Sequence, residues 1–384
     1  MKNKKIPKGL RDILPDEVKA KRELEKRAAE LFGSFGYQEV ITPTIEYLEV
    51  VENGAGGNMR ENLFLFMDRE GGILSLRPEM TVSIARLAAT HLQEEILPIR
   101  LFYSANVFRH VEPQLAQHRE FWQLGIELLG AQGPQADAEV IGLAVKALKA
   151  FGLKDFKISM NDIRIINALV DNSALNQAGK MTIRRLIEKK DLVELERILK
   201  NMPIEEKLKE TIIRLPVLHG GLEVLDQLPY LQQQPQAAEA VEELIRVYHA
   251  LQAYGVQDHI VIDMGVIRNF DYYTGLVFEG YSPDLGYGLL GGGRYDNLLD
   301  QFGFSCPATG FAIGMDRLAL VLKHSFSEPV CYLIGGNDFA SMVAQAEELR
   351  RQGYRVELDV LGREQEKLEE MAQAKKNCRL IYLD

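Results

Sequence analysis

The sequence predicts an α+β protein in which an antiparallel sheet with flanking helices is interrupted by a helical insertion. Apolar and polar residues alternate in runs such as QLGIELLG, as in strands of a half-exposed sheet. Leucines recur at helical spacing in a charge-rich segment, residues 173–250, that shows almost no strand pattern. From Pro329 strands and helices alternate, which predicts a small parallel α/β unit. We expect a main domain over residues 1–325, containing the insertion, and a second domain over residues 329–384.

Composition indicates a soluble chain of two or three domains. The apolar fraction of 46% and the charged fraction of 26% lie near soluble averages, and no apolar run is long enough to predict a membrane span. The N-terminal segment MKNKKIPKGLRD is basic but lacks the apolar core of a secretory signal, so we predict a cytoplasmic location. The formal net charge of −10 argues against extended contact with nucleic acid, because phosphate neutralisation needs basic surface.

Cysteine and histidine usage predicts neither a disulfide framework nor a metal centre. Cys306, Cys331 and Cys378 are far apart and too few for a framework, so we expect reduced, mostly buried thiols. The seven histidines show neither the i, i+4 pair of a zinc protease nor a CxxC companion. No metal and no cofactor are therefore predicted.

Periodicity and turn residues predict the order of elements. A long amphipathic helix is expected over Glu17 to Phe32. The segment YQEVITPTIE carries Pro43 and is expected to be an edge or interface strand, followed by a loop over Val51 to Asn62. Further strands are expected over Ile73 to Arg77, Ile99 to Val107 and Glu120 to Leu129 and in KDFKISMND, HIVIDMG and DYYTGLVFEGY, with helices after Gln135, near Ile163 and from Asn297. The segment from VCYLIGG to RLIYLD predicts βαβαβ.

Two of these strands carry polar side chains on one face. In QLGIELLG the two-residue period puts Gln123, Gly125 and Glu127 together, and the bare backbone at Gly125 is expected to leave room for a small polar ligand. The same period places four residues of DYYTGLVFE on one face, again with space at the glycine: Asp271, Tyr273, Gly275 and Glu279. For either strand, the alternative interpretation is the solvated face of a half-exposed sheet.

Two further motifs bear on ligand binding. In SLRPEMT, a surface ion pair of Arg77 with Glu79 is the favoured interpretation in isolation, whereas a backbone fixed by Pro78 would aim Glu79 inward. The GGGR of GLLGGGRYD lacks the lysine and hydroxyl residue of a P-loop and does not fit GxGxxG. Its glycines are therefore expected to permit tight strand packing rather than to bind a nucleotide.

Taken together, these segments resemble histidyl-tRNA synthetase, a class II synthetase. The resemblance runs from Pro7 to about Leu322 and rests on PKGLRDILP, SLRPEMT, FRH, REFWQLGIELLG, RNFDYYTGLVFE, GGGRYD and GFAIGMDRLAL. It implies a class II aminoacyl-tRNA synthetase-like antiparallel sheet with a helical insertion, and a homodimer interface built by the region around Pro43.

The resemblance also implies a histidine pocket. Carboxylates and an amide would bind the α-ammonium group and the imidazole N–H, arginines the α-carboxylate, and tyrosines the ring. Tyr272 is added to the set although strand alternation points it away from Tyr273. The residues implied are Glu79, Thr81, Arg109, Gln123, Glu127, Arg268, Tyr272, Tyr273 and Tyr295.

The loop FRHVEPQLAQHREF departs from the synthetase pattern. The family's adenine-reading glutamate and γ-phosphate arginine fall on Val111 and Gln117, and Glu112 stands where the family has an arginine. Each lost phosphate contact typically costs about 3 to 4 kcal/mol, so adenylation should be crippled and no catalytic residue is assigned. The alternative is a loop alignment in which Glu112 and Arg119 restore the contacts. Two implied phosphate contacts are retained as candidate anion-binding residues, Arg109 and Arg317.

A synthetase-like chain with a histidine pocket, a disabled ATP loop and a truncated anticodon-binding-like domain is similar over its whole length to the regulatory subunits of ATP phosphoribosyltransferase. That resemblance implies a non-catalytic homodimer core within a hetero-oligomer. Its implied partner is the short-form catalytic subunit, which performs the first step of histidine biosynthesis under feedback inhibition by L-histidine. It argues against tRNA as a partner. The alternatives are a divergent histidyl-tRNA synthetase or histidine-adenylating ligase, and a stand-alone histidine sensor.

Overall fold

The computed structural model describes residues 4–55, 57–112, 117–171, 173, 175–267, 272–322, 330–375 and 377–383. Two compact units, Met1–Lys323 and His324–Asp384, make up the chain. Two residues with expected roles, Arg268 and Asp271, lie outside the described residues.

The strands of the first unit belong to two sheets. Numbered along the chain, they are β1 (Gln38–Glu39), β2 (Ile45–Tyr47), β3 (Leu65–Met67), β4 (Ile73–Leu76), β5 (Ile99–Phe108), β6 (Glu120–Leu129), β7 (Lys157–Asp162), β8 (His219–Gly220), β9 (Ile260–Asp263), β10 (Leu276–Tyr281), β11 (Leu290–Arg294) and β12 (Ala308–Gly314). The large sheet has the order β1-β5-β6-β12-β11-β10-β7-β9-β8, and the small sheet has the order β2-β4-β3. The large sheet is antiparallel except where β1 pairs with β5 and β7 with β9.

The helices of the first unit flank these sheets. They are α1 (Pro15–Ser34), α2 (Leu48–Ala55), α3 (Thr81–His91), α4 (Pro134–Ala150), α5 (Ile163–Asp171), α6 (Gln177–Glu188), α7 (Leu192–Lys200), α8 (Glu206–Arg214), α9 (Pro235–Ala253) and α10 (Met315–Val321). The first helix buries Leu24, Ala28 and Phe32, as its predicted period requires.

The two faces of the large sheet pack into different cores. Leu124 and Ile126 of β6 join the core that includes α1 and α4. Tyr103 of the neighbouring β5 joins a second core with α3. Because successive side chains in a strand alternate between faces, Gln123 and Glu127 lie on the α3 side. The polar face predicted for β6 is therefore confirmed, and it is covered rather than solvated.

The region around Pro43 differs from the single strand expected there. YQEVITPTIE breaks at Pro43 into β1, at the edge of the large sheet, and β2, at the edge of the small sheet. A proline has no N–H to donate to a strand ladder. The chain leaves one sheet and enters the next at this residue, so the prediction of an edge position is confirmed and the prediction of one continuous strand is wrong.

Two other expectations are corrected. The segment Val51 to Asn62, expected to be a loop, lies mostly in α2 and in a 3₁₀ turn at Gly57–Asn62. The helix α2 forms because Leu48 and Val51 are buried on one side of it. The helix expected from Asn297 is only a 3₁₀ turn, which Gly303 ends in a left-handed conformation with φ of 78°.

The helical insertion is confirmed, and the short strand β8 interrupts it. Leu195 and Leu199 of α7 are fully buried against the core shared with α4 and α9. Arg164 at the start of α5 binds Asp162 at the end of β7 and Glu243 of α9, the latter at 2.8 Å. These contacts attach the insertion firmly to the large sheet.

The second unit has the expected βαβαβ order. Its elements are β13 (Cys331–Gly336), α11 (Phe339–Arg351), β14 (Arg355–Leu358), α12 (Gln365–Ala374) and β15 (Cys378–Leu383). The strands are parallel, with β13 between β14 and β15. The prediction of a small parallel α/β unit is confirmed. Cys306 and Cys331 are buried and Cys378 is half-buried, all as free thiols.

Candidate functional site

A cavity of ≈ 160 Å³ lies on the α3 side of the large sheet. A cavity of about 150 Å³ can hold a benzene ring, so this one has room for one small molecule with a single ring. Arg268 is outside the described residues. The other residues that the sequence assigned to a histidine pocket all line the cavity: Glu79, Thr81, Arg109, Gln123, Glu127, Tyr272, Tyr273 and Tyr295.

Glu127 is held by hydroxyl groups from two directions. Its Oε1 accepts a hydrogen bond from Thr81 Oγ1 at 2.9 Å, and its Oε2 accepts one from the Tyr295 hydroxyl. Gly310 of β12 lies directly opposite, where any Cβ would collide with Oε2. Burial, with a smaller contribution from Glu79, raises the pKa of Glu127 to about 8 against the lowering effect of both hydroxyl donors. The site therefore holds a carboxyl group that lacks full charge compensation.

Glu79 caps the N-terminus of α3. Its Oε2 accepts from the Thr81 N–H at 2.9 Å and its Oε1 from the Val82 N–H at 2.7 Å. Burial raises the pKa of Glu79, although the two N–H groups and the neighbouring Arg109 act in the opposite direction. A ligand that contacts Glu79 thus contacts a side chain that is bound to the first turn of α3.

Arg77 has a structural partner set of its own. Its guanidinium donates to main-chain oxygens of Thr42 at 2.8 Å, Pro43 at 3.2 Å and Asn106 at 2.9 Å. It is 4% exposed and fixes the chain where it passes between the two sheets. The interpretation of Arg77 and Glu79 as a surface ion pair is therefore wrong, and the inward orientation of Glu79 is confirmed.

Three tyrosines form one wall of the cavity. The ring centroid of Tyr272 lies 4.9 Å from that of Tyr273 and 5.7 Å from that of Tyr295. The expectation that Tyr272 points away from Tyr273 is wrong, because β10 begins only at Leu276 and strand alternation does not apply before it. Burial raises the pKa of Tyr272 and of Tyr295 well above the usual value, so both hydroxyls stay neutral.

The ligand space expected above Gly125 is occupied by Tyr103, a residue that the sequence interpretation missed. Tyr103 of β5 pairs with Gly125, and a Cβ at that glycine would collide with the phenol group. Gly275 opens no space for a ligand either, since a Cβ added there would already lie in van der Waals contact with Arg294 Cδ, at 3.4 Å. Both expected gaps are therefore wrong, although Glu279 of the second strand does line the cavity.

Gln123 contributes a buried acceptor to the cavity. Its Oε1 has no hydrogen-bond partner among the described residues. Leaving such a group unpaired typically costs about 1 to 3 kcal/mol. A ligand with an N–H or ammonium group would remove that cost.

The loop after β5 presents neutral side chains to the cavity, with Val111 and Gln117 in its lining. Glu112 is exposed and pairs with Lys8 at 2.7 Å. Arg119 Nε donates to the Val111 carbonyl at 2.9 Å. Neither Glu112 nor Arg119 belongs to the lining, so the geometry gives no support to a loop arrangement in which these two restore phosphate contacts.

Two arginines give the cavity a positive side. Arg109 Nε donates to the Pro78 carbonyl at 2.9 Å, and its guanidinium lies 5.4 Å from the centre of the Phe121 ring. Arg317 Nη1 donates to the Gly288 carbonyl at 2.8 Å. With carboxylates elsewhere in the lining, the cavity offers both signs of charge, as recognition of a zwitterion requires.

The N-terminal segment braces this cavity. Arg11 Nη2 donates to Asp316 Oδ1 at 2.8 Å, and Asp316 Oδ2 accepts from the Trp122 N–H at 2.9 Å. Asp316 lines the cavity and precedes Arg317. The segment before α1 thus joins α10 to β6.

The described ranges hold no group of three or more histidine, cysteine or acidic side chains arranged to bind a metal ion. Within the same residues, every helix is too short or too polar to cross a membrane.

Fold and cavity together define a histidyl-tRNA synthetase-like protein. The family model for histidyl-tRNA synthetase matches residues 9–318. The solved structure of an ATP phosphoribosyltransferase regulatory subunit/histidyl-tRNA synthetase from Bacillus halodurans is similar with a TM-score of 0.89 and 31% identity, covering 99% of each chain. Histidyl-tRNA synthetase from Nostoc, at 24% identity and a TM-score of 0.84, covers 100% of this chain and 92% of that chain and shares the fold.

Curated relatives narrow the assignment. The ATP phosphoribosyltransferase regulatory subunit of Moorella thermoacetica is 44% identical over 356 residues, 92% of each chain. The one from Desulfitobacterium hafniense is 39% identical over 366 residues, 94% of each chain. The chain belongs to the family of ATP phosphoribosyltransferase regulatory subunits.

Proposed function

We propose that this chain is a cytoplasmic regulatory subunit of ATP phosphoribosyltransferase, the enzyme that joins ATP to phosphoribosyl pyrophosphate in the first step of histidine biosynthesis. It activates a short-form catalytic subunit and transmits feedback inhibition by histidine. The observation that carries the proposal is the 44% identity to a curated regulatory subunit over 92% of both chains.

The cavity supports histidine as the effector. Glu79 and Glu127 suit an ammonium group, the arginine side suits a carboxylate, and the unpaired Gln123 Oε1 suits a ring N–H. A cavity of ≈ 160 Å³ suits one such molecule. Arg109 and Arg317 remain as candidate anion-binding residues, with the carboxylate of histidine as the natural anion for Arg109.

The same cavity supports the loss of amino-acid activation. Val111 and Gln117 line it where a synthetase would need a carboxylate and a cation for ATP. Removing one electrostatic contact to a reacting group costs about 3 to 4 kcal/mol, so two losses would slow adenylation by several orders of magnitude. We therefore propose that the chain binds histidine without activating it, and that tRNA is not a partner.

Helix α3 offers a route for the signal. At its first residue, Thr81 binds Glu127, and further along Arg86 holds Glu46 of β2 through two hydrogen bonds of 2.9 Å each. A ligand that shifts the start of α3 therefore acts on the small sheet. Allosteric coupling of this kind is typically about 1 to 3 kcal/mol and is reciprocal between the sites.

The small sheet supports a homodimer core. Tyr47 pairs with Leu74, which pairs with Phe66, so these side chains share a face with Ile45. We call Ile45, Tyr47, Leu74 and Phe66 the small-sheet face. Ile45, Tyr47 and Phe66 are exposed by 46%, 60% and 38%, and an apolar surface of this kind marks an interaction site. We propose that a second copy of the chain covers it.

The decisive experiment measures phosphoribosyltransferase activity of the short catalytic subunit with and without this chain, during a histidine titration. Addition of the chain should raise the activity at least tenfold, and histidine should then reduce it. Glu127→Ala should shift the inhibition curve to at least tenfold higher histidine, because the ligand loses a buried carboxyl partner. Glu112→Ala, at an exposed carboxylate outside the cavity, is the matched control. Failure of the chain to change the activity would refute the proposal.

A histidine-activating ligase is the rival function, favoured by the family match over residues 9–318 and by the retained Arg109 and Arg317. Pyrophosphate exchange that depends on both histidine and ATP separates the two. We expect no exchange above background. Sustained turnover would establish the rival.

A further inference from the structure

Two of the three cysteines lie side by side in the second unit. Cys331 begins β13 and Cys378 begins β15, and the register of these parallel strands pairs the two residues directly. Directly paired residues of neighbouring strands present their side chains to the same face of a sheet. The two thiol groups are accordingly within hydrogen-bonding reach of each other.

The backbone spacing at this pair suits a disulfide. Neighbouring strands lie about 4.7 to 4.9 Å apart, and a disulfide spans Cα separations of about 4.4 to 6.8 Å. The Cys331 N–H donates to the Asn377 carbonyl at 3.0 Å, which holds the start of β15 beside the start of β13. Backbone hydrogen bonds therefore bring the two thiols together, and a bond between them needs no rearrangement of the strands.

The two thiols differ in their access to solvent. Cys331 is 6% exposed, whereas Cys378 is half-buried and packs at the margin of a core formed with Leu368 of α12. Burial, with smaller contributions from the Cys378 thiol and from Glu357, raises the pKa of Cys331 to about 11. Since a thiolate is the attacking species, Cys378 is the thiol placed to react with a molecule from solvent. Cys331 is placed to react second, with its neighbour.

We propose that Cys331 and Cys378 form a dithiol site that a low-molecular-weight disulfide oxidises to a cross-strand disulfide. The Cys378 thiolate attacks one sulfur of the small disulfide, which gives a mixed disulfide and releases one small thiolate. Cys331, after losing its proton to solvent, attacks Cys378 Sγ and displaces the second small thiolate. The two protein thiols together lose two electrons and two protons, and the small disulfide gains them and becomes two thiols.

The disulfide would tie the central strand of the second unit to an edge strand. It would enclose α11, β14 and α12 in one covalent loop. A cross-link that closes a long loop restricts the unfolded chain and so stabilises the folded one. The site belongs to the second unit, and the inference does not depend on the proposed function.

Mass spectrometry of the full chain after incubation with glutathione disulfide tests the proposal. Cleavage after lysine and arginine leaves Cys331 and Cys378 in separate peptides, so a disulfide would keep those peptides joined until dithiothreitol is added. We expect most of the chain to carry this link. Cys306, which is 1% exposed in the first unit, should remain a thiol.

Single substitutions separate the two steps. Cys331→Ala should stop at a mixed disulfide of Cys378 with glutathione, because the second thiol is missing. Cys378→Ala should leave Cys331 unmodified, because that thiol is buried. Cys306→Ala is the matched control and should form the link as readily as wild type.

Hydrogen exchange measures the effect of the link on the fold. Amides of β13 and β15 should exchange about tenfold more slowly, or slower still, in the linked chain than in the reduced chain, because the cross-link opposes unfolding of the second unit. Amides of the first unit should exchange at the same rate in both forms. Unchanged exchange in β13 and β15 would overturn the stabilising role of the link.

Three results would overturn the dithiol site itself. Cys331 and Cys378 could both remain open to alkylation in the unfolded chain after the incubation. The wild-type chain could stop at the mixed disulfide, or Cys378 could join two copies of the chain instead of reacting with Cys331. Each of these results leaves the proposed function intact.

Discussion

At the scale of single residues, Glu127 is the most unusual group in the cavity. Within the described residues, its hydrogen-bond donors are the neutral hydroxyls of Thr81 and Tyr295, so a negative charge on Glu127 is poorly compensated. Burial accordingly raises its pKa to about 8. The folded chain therefore holds a proton on Glu127 at pH values where the unfolded chain has released it.

That difference predicts a pH-dependent stability. A free glutamate has a pKa of about 4.3, so between there and about pH 8 the free energy of unfolding falls as pH rises, and above pH 8 it levels off. Glu127→Gln should make the slope shallower by up to about 1.4 kcal/mol per pH unit. Some slope should remain, because burial raises the pKa of Glu79 as well. Urea unfolding at a series of pH values measures the effect.

Glu112→Gln serves as the control for that series. This exposed carboxylate pairs with Lys8, which lowers its pKa, so its removal should leave the slope between pH 5 and pH 8 unchanged. A wild-type slope retained in Glu127→Gln would show that Glu127 does not carry the proton.

Sequence patterns could predict some of these residues and not others. Gln123 and Glu127 follow from alternation within one strand, and alternation needs no knowledge of the neighbouring strand. Tyr103 depends on the register between β5 and β6, and the connection over residues 109–119 is too long for a turn type to set that register. The available signal for this contact was an aromatic residue in one strand, Tyr103, and a glycine in the next strand, Gly125.

At the scale of elements, the contact between β5 and β6 is tight at Tyr103. A methyl group at Gly125 would meet both the phenol of Tyr103 and the carbonyl oxygen of Phe311 in β12. Gly125→Ala should therefore lower the free energy of unfolding by about 1 to 3 kcal/mol, the usual cost of overpacking. Denaturant titration checks the value.

Gly33→Ala in α1 provides the comparison. Apart from the neighbouring residues and the backbone of α1 itself, the described residues place no atom within 4 Å of the added Cβ, and alanine favours a helix over glycine by about 0.5 to 1 kcal/mol. We expect this variant to be more stable than wild type. Equal effects at both glycines would contradict the packing described for Gly125.

Element prediction failed where tertiary context decides. Alternation in YQEVITPTIE is real on both sides of Pro43, but the two halves pair with different sheets, and sequence does not reveal that exchange. Arg77 fixes this passage of the chain between the two sheets. It donates to the main-chain oxygens of Thr42, just before Pro43, and of Asn106 in β5. The sequence did not predict that Glu79 caps α3, because Glu79 precedes the helix by two residues and fits no usual capping pattern.

At the scale of the whole molecule, the small-sheet face predicts a dimer. Tyr47→Glu should place a charge in the centre of the proposed contact and shift the chain toward monomer, because an unpaired charge is costly to bury. Light scattering after size exclusion measures the mass. The expected result is about half the wild-type mass at micromolar concentration.

Val193→Glu is the control for that experiment. Val193 is 81% exposed on α7 and lies outside the small-sheet face. Its substitution should leave the mass unchanged. A dimer retained in Tyr47→Glu would indicate that another surface joins the copies.

The link from Arg11 through Asp316 to Trp122 has a practical consequence for anyone shortening or tagging this protein. Deleting the residues ahead of α1 would remove Arg11, the guanidinium partner of the Asp316 carboxylate, which is 11% exposed. Asp316 is next to the cavity-lining Arg317. A trimmed version could then fold and still give misleading titrations. Expression designs should keep the segment before α1 and carry purification handles elsewhere.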